Sequence, residues 1–330
     1  LAEFLRCSWR RRLQTSGQLV MRGILFHSEF HDPVVWKKEL EAAAGKDLDL
    51  RFWPDIGDPS EIEVLLTWTP PEGWQKLFPN LKLLQCLGAG VDHLLSDPIP
   101  SSVQVTRIAE EGQIEEFVAY VCAGVLQFHR EFHVYREHQN HLRWMPNGVP
   151  SVRSRTVGVM GLGSFGSACA RQLVGLGFNV RGWSRSLKEL ERAKAFAGDL
   201  QLNEFLAGAE ILVCVLPLTD STREILDAKL FYTLPPGACI INVGRGEHCV
   251  EKDLVDAVSS KHLGGALLDA FRVEPLPPSH PFWTTPGINI TPHIATRAKT
   301  GSAAALTVEN LRRLDDGRPL VGLVDTSRGY

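Results

Sequence analysis

The sequence lacks the features expected of a membrane protein, a nucleic-acid-binding protein or a disulfide-linked secreted domain. Its longest apolar runs, such as the one ending at Leu216, are far too short to cross a bilayer. The net charge is -3, so no basic excess points to nucleic acid or to an anionic membrane. The seven cysteines form no CxxC pair and several lie in apolar runs, which favours reduced, buried thiols in an intracellular protein. No metal site is predicted.

Length and composition indicate a globular protein with more than one domain. The 330 residues suggest two domains, and 44% hydrophobic residues are enough for a sizeable core. Residues 1–20 are rich in arginine and poor in acids, so they are set apart from the fold as a presequence, translated upstream sequence or added residues. A cytoplasmic protein is expected, or a mitochondrial one if residues 1–20 are a presequence.

Short apolar strands alternate with helices, which predicts parallel sheets covered on both faces. Strands are expected at 24–26, 48–53, 64–68, 81–87, 156–160, 179–183, 211–216, 238–242, 265–269 and 288–291. Helices are expected at 33–44, 166–176, 252–260 and 300–314. Asp32 and Pro33 suit the N-cap and the first position of the first helix. Residues 114–137 are expected to form a long helical stretch that links domains or lies at a subunit interface.

A glycine-rich turn stands between the predicted strand 156–160 and the next helix. It reads GxGxxG and consists of Gly161, Leu162, Gly163, Ser164, Phe165 and Gly166. The first glycine allows a tight turn, the second lets the backbone approach a pyrophosphate, and the third lets helix and strand pack closely. The N–H groups of the helix N-terminus then face the phosphates. The strand–loop–helix context therefore predicts dinucleotide binding.

The end of the next strand indicates which dinucleotide is preferred. An NAD-specific site needs an acid there for the ribose hydroxyls, whereas this chain has Ser184, Arg185 and Ser186. A guanidinium between two hydroxyls suits the 2′-phosphate of NADPH. We therefore expect NADPH to be preferred, with NADH possible. The missing acid also disfavours a methyltransferase, which would need a ribose-binding carboxylate.

Three reactive side chains follow three of the later predicted strands: Arg245, Glu274 and His293. Functional groups of open α/β sheets lie at the carboxyl ends of strands. The fork of Arg245 can hold a carboxylate and a keto oxygen together. A carboxylate beside His293 would stabilise the protonated ring, which could then donate a proton near neutral pH. An anion clamp and an acid downstream of a dinucleotide loop predict reduction of a 2-keto acid.

These motifs resemble the D-isomer-specific 2-hydroxyacid dehydrogenase family, and within it the glyoxylate/hydroxypyruvate reductase A branch. The similarity covers about Met21 to Tyr330. It is carried by four further segments: LGAGVDH at 87–93, GWSR at 182–185, EPLPP at 274–278 and VDTSRGY at 324–330.

The resemblance implies a role for each candidate residue. Arg245 would bind and polarise the 2-keto acid, His293 would protonate the keto oxygen, and Glu274 would hold His293 in a charged dyad. Asp269 would lie near the nicotinamide. Further cofactor contacts are expected at Leu216, Pro217, Val243 and Gly244.

Substrate recognition is expected from a second Gly-rich turn. The resemblance implies that the backbone N–H groups of Ala89 and Gly90 bind the substrate carboxylate, and exposed amides in such a turn can bind an anion. Trp68 and Trp144 are candidates to cap a small pocket suited to glyoxylate or hydroxypyruvate. The alternative is that both are ordinary core or interface tryptophans.

The resemblance also implies the domain plan. Two Rossmann-like domains are expected, one flavodoxin-like and one dinucleotide-binding, each a doubly wound parallel sheet, with an interdomain cleft. The substrate-binding domain would be discontinuous, at 21–103 and 296–330, and the dinucleotide-binding domain would lie at 104–295. A homodimer is expected, with 114–137 in the contact.

Two other functions remain open. One is a non-catalytic, dinucleotide-sensing partner protein like the corepressor relatives of the family, which keep the same catalytic residues. The other is a phosphoglycerate dehydrogenase-like enzyme, and the lack of a C-terminal extension argues only against its longer forms.

Overall fold

The structure is a computed structural model that describes residues 22–95, 97–109, 111–296 and 298–326. The predicted extension at 1–20 and the end of the 324–330 segment lie outside the described residues. The chain divides into two compact units, one formed by residues 22–109 with 298–326 and the other by 111–296. Each is an α/β unit built on a parallel sheet, which confirms the predicted fold class. No helix within the described part of the chain is long and apolar enough to cross a membrane.

The first unit contains a five-stranded parallel sheet with the order β2-β1-β3-β4-β5. Its strands are β1 (Gly23–His27), β2 (Leu50–Phe52), β3 (Ile62–Thr67), β4 (Leu83–Cys86) and β5 (Gln104–Thr106). Its α-helices are Pro33–Ala44, Trp74–Leu77 and Thr300–Asp315. The strand order is that of flavodoxin-like sheets, as predicted.

The first helix of this unit begins as the sequence indicates. The Asp32 carboxylate accepts hydrogen bonds from the Val34 N–H at 2.8 Å and the Val35 N–H at 3.4 Å, and Pro33 occupies the first position. The buried face of the helix joins one hydrophobic cluster with the helix Thr300–Asp315. The helix Thr300–Asp315 therefore completes the core of the first unit.

The second unit contains a seven-stranded parallel sheet with the order β12-β11-β10-β9-β6-β7-β8. Its strands are β6 (Thr156–Met160), β7 (Asn179–Ser184), β8 (Lys194–Ala197), β9 (Ile211–Cys214), β10 (Ala238–Asn242), β11 (Leu263–Leu268) and β12 (Ile288–Ile290). Its α-helices are Glu111–His129, Phe132–Asn140, Ser164–Gly175, Leu202–Leu206, Ala228–Thr233 and Glu251–Ser259. The strand order reverses between β6 and β9, and ligands of such sheets bind at the carboxyl ends of strands near that point.

Three local features differ from the sequence-based expectation. The stretch 114–137 is not one helix, because Glu131 takes a φ of 56° and separates the helices that end at His129 and begin at Phe132. β5 and β8 were missed because each contains only one large apolar residue, Val105 and Phe196 respectively, which is too few to show a strand pattern. β5 pairs with β4, so residues 104–106 belong to the first sheet rather than to the predicted dinucleotide-binding domain.

Candidate active site

β6 runs directly into the predicted dinucleotide loop. Gly161 has a φ of +106°, and a Cβ there would lie 2.7 Å from the Val215 carbonyl oxygen, so a side chain does not fit. A Cβ on Gly166 would lie 1.8 Å from the Gly161 carbonyl oxygen, so this glycine allows the helix Ser164–Gly175 to approach the strand. A Cβ on Gly163 would meet no described atom within 4 Å. The loop therefore fits a dinucleotide pyrophosphate at the exposed helix N-terminus.

The other residues of the loop divide between packing and exposure. Leu162 is buried, and the ring of Phe165 packs edge-on against Phe117 with 5.0 Å between ring centroids. Ser164 is exposed at the first position of the helix. The two apolar side chains hold the loop on the core while the backbone at 163–164 stays open to solvent.

The chain after β7 carries the residues that the sequence linked to NADPH. β7 ends at Ser184, whose Oγ donates a hydrogen bond to the Ser186 carbonyl at 2.7 Å. Arg185 lies inside this turn and is exposed, as is Ser186. The place where an NAD-specific site has an acid is thus taken by an exposed cationic side chain.

Two fully buried polar side chains hold the backbone of Arg245 after β10. The Asn242 amide donates to the Arg245 carbonyl at 2.9 Å and accepts from the Gly244 N–H at 3.2 Å. His248 accepts from the Arg245 N–H at Nδ1 (3.0 Å), so its proton is on Nε2, which donates to the Pro217 carbonyl at 3.2 Å. His248 therefore connects the segment after β9, which contains Leu216 and Pro217, with the turn after β10, which contains Val243 and Gly244.

Glu274 and His293 form the pair that the sequence predicted. His293 Nδ1 lies 2.8 Å from Glu274 Oε2 and 3.1 Å from Oε1, and the Phe271 N–H donates to Oε1 at 2.9 Å. Partial burial alone would favour the neutral acid. The hydrogen bonds from His293 and the Phe271 N–H, with the positive charge of Arg245, nevertheless hold the pKa of Glu274 below its ordinary value. The structure thus brings an ionised carboxylate to the ring of His293.

Asp269 anchors the segment that carries His293. Its carboxylate is 1% exposed; Oδ1 accepts from the Thr291 hydroxyl at 2.6 Å and the Ile294 N–H at 2.8 Å, and Oδ2 accepts from the Ala295 N–H at 2.7 Å. One buried side chain therefore fixes both ends of the 291–295 loop. The expected position of Asp269 near the nicotinamide stays a prediction.

Tyr120 extends this network from the helix Glu111–His129. Its hydroxyl lies 2.5 Å from the Thr291 Oγ1 and donates to it, because the Thr291 hydrogen is already directed at Asp269. Burial, with the charge of Asp269 nearby, raises the pKa of Tyr120 to about 12. Tyr120 therefore stays protonated and remains a donor at neutral pH.

In the first unit, β4 leads into the loop that contains Ala89 and Gly90, and Trp68 packs against it. A Cβ on Gly88 would lie 2.5 Å from the Trp68 ring, and His93 stacks on that ring with 4.6 Å between centroids. Trp68 is half-buried between these groups, and both Ala89 and Gly90 are partly exposed. Trp68 is therefore fixed beside the two predicted amides.

Trp144 has a different environment. It follows the helix Phe132–Asn140 in the second unit and is 101% exposed. It therefore contributes nothing to the core of its own unit.

Sequence reasoning missed several residues that hold the functional groups in place. A signal existed for Asn242 and Thr291, because polar side chains at the ends of apolar strands are buried and need hydrogen-bond partners. His248 and Tyr120 gave no such signal. Tyr120, for example, lies 171 positions from its partner Thr291.

Known proteins resemble this chain over most of its length. A model of the "D-isomer specific 2-hydroxyacid dehydrogenase, NAD binding domain" family matches residues 122–295. Glyoxylate/hydroxypyruvate reductase A from Serratia proteamaculans is 36% identical over 313 residues, which cover 93% of this chain and 99% of that protein.

Solved structures agree. A D-isomer specific 2-hydroxyacid dehydrogenase from Xanthobacter autotrophicus, in complex with NADPH and MES, matches with a TM-score of 0.90 and 40% identity, over 94% of this chain and 100% of that one. An NADPH-dependent glyoxylate/hydroxypyruvate reductase from Sinorhizobium meliloti, in complex with NADP and sulfate, matches with a TM-score of 0.85 and 31% identity, over 94% and 100%.

Proposed function

The chain belongs to the D-isomer specific 2-hydroxyacid dehydrogenase family, and we propose that it reduces small 2-keto acids, such as glyoxylate and hydroxypyruvate, to D-2-hydroxy acids with NADPH. The observation that carries this proposal is the contact of His293 with Glu274, at 2.8 Å, in the unit that also holds the GxGxxG loop and Arg245. The names of the similar reductases support the same substrate class.

Residues of the second unit are suited to hold the dinucleotide. The N–H groups at the start of the helix Ser164–Gly175 would bind the pyrophosphate, and Arg185 with Ser184 and Ser186 would bind the 2′-phosphate. When bound, NADPH supplies the hydride. Further contacts are proposed at Leu216, Pro217, Val243, Gly244 and Asp269.

Different catalytic residues bind the substrate and transfer the proton. Arg245 binds the substrate carboxylate and keto oxygen and polarises the carbonyl group. His293 Nδ1 is engaged by Glu274, so the proton for the keto oxygen comes from Nε2. Glu274 stabilises the protonated ring before transfer and holds its orientation. The N–H groups of Ala89 and Gly90 are proposed to bind the substrate carboxylate, and Trp68 to limit substrate size.

The assembly and location of the protein remain proposals. We propose a homodimer, and the full exposure of Trp144 supports a contact with a partner subunit. A cytoplasmic location stays a prediction.

Turnover of a substrate panel tests the proposed function. Purified protein should oxidise NADPH with glyoxylate or hydroxypyruvate, and Arg245→Ala should lower kcat/KM by about 10³-fold because the carbonyl is no longer polarised. Arg223→Ala, at an exposed arginine of the same unit, is the matched control and should leave turnover unchanged. If no small 2-keto acid is turned over while NADPH still binds, the enzymatic proposal fails and the dinucleotide-sensing alternative is favoured.

Cofactor preference has a separate test. The wild type should have a lower KM for NADPH than for NADH. Arg185→Ala should reduce the ratio of KM for NADH to KM for NADPH by about tenfold or more, because the 2′-phosphate loses its cation. Arg185→Lys keeps the charge and should retain most of the preference. Equal KM values in the wild type would show that Arg185 does not select the cofactor.

A further inference from the structure

In the loop at 87–91, the directions of the backbone N–H groups are set by hydrogen bonds to the carbonyl groups of the preceding residues. In a trans peptide, the C=O of one residue and the N–H of the next point in opposite directions. The Gly88 carbonyl accepts from the Ile108 N–H at 3.0 Å, so the Ala89 N–H points away from Ile108. The Ala89 carbonyl accepts from Arg107 Nη1 at 3.5 Å, so the Gly90 N–H points away from the guanidinium.

The glycines themselves do not orient these amides. Neither Gly88 nor Gly90 has a positive φ, so the loop is not turned by left-handed glycine conformations. The Gly90 carbonyl accepts from the Cys86 thiol at 3.4 Å, which fixes a third successive peptide. The orientation of the loop therefore depends on β4 and on the residues after β5.

Arg107 adds a charge behind the loop. It directly follows β5, is half-buried and keeps its positive charge, although burial lowers the pKa of the guanidinium. Among the residues that the structure describes, no carboxylate forms an ion pair with it. A partly desolvated cation favours binding of an anion nearby.

We propose that Arg107 is a positioning residue for substrate recognition. It holds the Ala89 peptide so that the Gly90 N–H is directed at the substrate carboxylate, and its positive charge strengthens the attraction of the loop for that anion. Ile108 orients the Ala89 N–H in the same way through its backbone. This inference rests on the proposed function and adds Arg107 to the groups that make the site selective for carboxylates.

The expected kinetic signature separates this role from catalysis. The carboxylate is present in the substrate and in the transition state alike, so weaker carboxylate binding raises KM and leaves kcat unchanged. Arg107→Met keeps the apolar stem and removes the charge and the donors. It should raise KM for glyoxylate by about tenfold or more, with kcat and KM for NADPH within about twofold of wild type.

Two further variants bracket this result. Arg107→Lys keeps the charge without the planar donor group and should recover part of the affinity. Arg51→Met removes an arginine of the same unit that is paired with Asp49 and Glu61, and it should leave KM for glyoxylate unchanged. If Arg107→Met does not fold, Arg107→Lys and Arg107→Gln replace it in the test. A KM for glyoxylate that is unchanged in both variants would overturn the proposal.

Oxamate, a 2-keto acid analogue that is not reduced, gives a readout independent of turnover. Its Kd for the NADPH-bound protein, measured by calorimetry, should rise in Arg107→Met by the same factor as KM. A Kd and a KM within about twofold of wild type in a variant of normal Tm would overturn the role of Arg107. If wild type binds oxamate more tightly than Arg107→Met but reduces no keto acid, the proposed function fails and the role of Arg107 stands. A wild type that does neither overturns both.

Discussion

Two loops at the carboxyl ends of parallel strands present functional groups in opposite ways. The 291–295 loop offers a side chain, His293, and is held by one buried carboxylate that accepts three hydrogen bonds. The 87–91 loop offers backbone N–H groups and is held by three separate donors on neighbouring segments. A single anchor concentrates the effect of one substitution, whereas three anchors divide it among several residues.

The chemical tasks of the two loops explain this difference. A proton donor acts in the transition state, so a small displacement of His293 should lower kcat. Amides that bind a carboxylate act on the substrate and the transition state alike, so their displacement should change KM. Substitutions in the two loops should therefore affect different kinetic constants.

Among substitutions that disturb the two loops, the largest effect is expected from Asp269→Asn. Asparagine offers one acceptor oxygen instead of two, so at least one of the three donors loses its partner and the His293 loop shifts. We expect kcat to fall by about 10²-fold and the free energy of unfolding to fall by about 1–3 kcal/mol, measured by steady-state kinetics and denaturant unfolding. If KM changed and kcat did not, the expected kinetic difference between the 291–295 loop and the 87–91 loop would be contradicted.

Asp253 provides a matched control for this substitution. It lies in the same unit, and its carboxylate accepts the Ala228 N–H at 2.9 Å without contacting the 291–295 loop. Asp253→Asn should lower stability and leave kcat unchanged.

A smaller effect is expected from Thr291→Val, which keeps the side-chain shape and removes the hydroxyl between Tyr120 and Asp269. We expect kcat to fall by about tenfold with KM for glyoxylate unchanged, because only one of the three bonds to Asp269 is lost. Stopped-flow or steady-state measurements would show this. Thr291→Ser keeps the hydroxyl and should behave like the wild type; a Ser variant as slow as the Val variant would show that packing, not the hydrogen bond, is responsible.

The smallest expected effect is a change in stability, caused by Glu274→Gln. The pKa of Glu274 is lowered in the folded protein, so its pairing with His293 stabilises the fold fully above the ordinary glutamate pKa of about 4.3. That stabilisation is lost as the pH falls through the lower, folded-state pKa. The Tm difference between wild type and Glu274→Gln should therefore shrink as pH is lowered from 7 towards 3.

Another Glu–His contact in the described part of the chain serves as a control for activity. Glu251 lies 3.2 Å from His280 in the same unit, and neither residue belongs to the proposed catalytic set. Glu251→Gln should leave kcat unchanged, whereas Glu274→Gln should lower it. For the stability prediction, a Tm difference between wild type and Glu274→Gln that stays constant as the pH is lowered would contradict an ionised Glu274 paired with His293.

The sequence predicted the parts of the fold that have a clear local pattern. The long apolar strands, the Asp32 cap and the GxGxxG turn are visible because periodicity and glycine spacing involve neighbouring residues. β5 and β8 were missed because each has only one large apolar residue. The helix break at Glu131 was missed because a left-handed glutamate has no sequence signature. Local patterns therefore predicted elements better than their ends.

The amino-acid sequence by itself determined which groups are available for chemistry: the glycine loop, Arg245, Glu274 and His293 each follow a strand, and the carboxyl ends of parallel strands lie at one edge of a sheet. Only the tertiary structure decided how these groups are held. Tyr120 reaches Thr291 across 171 positions, and Arg107 reaches the Ala89 carbonyl from the neighbouring strand. Hydrogen bonds between distant segments depend on how the strands pair and pack, and no pattern of adjacent residues encodes them.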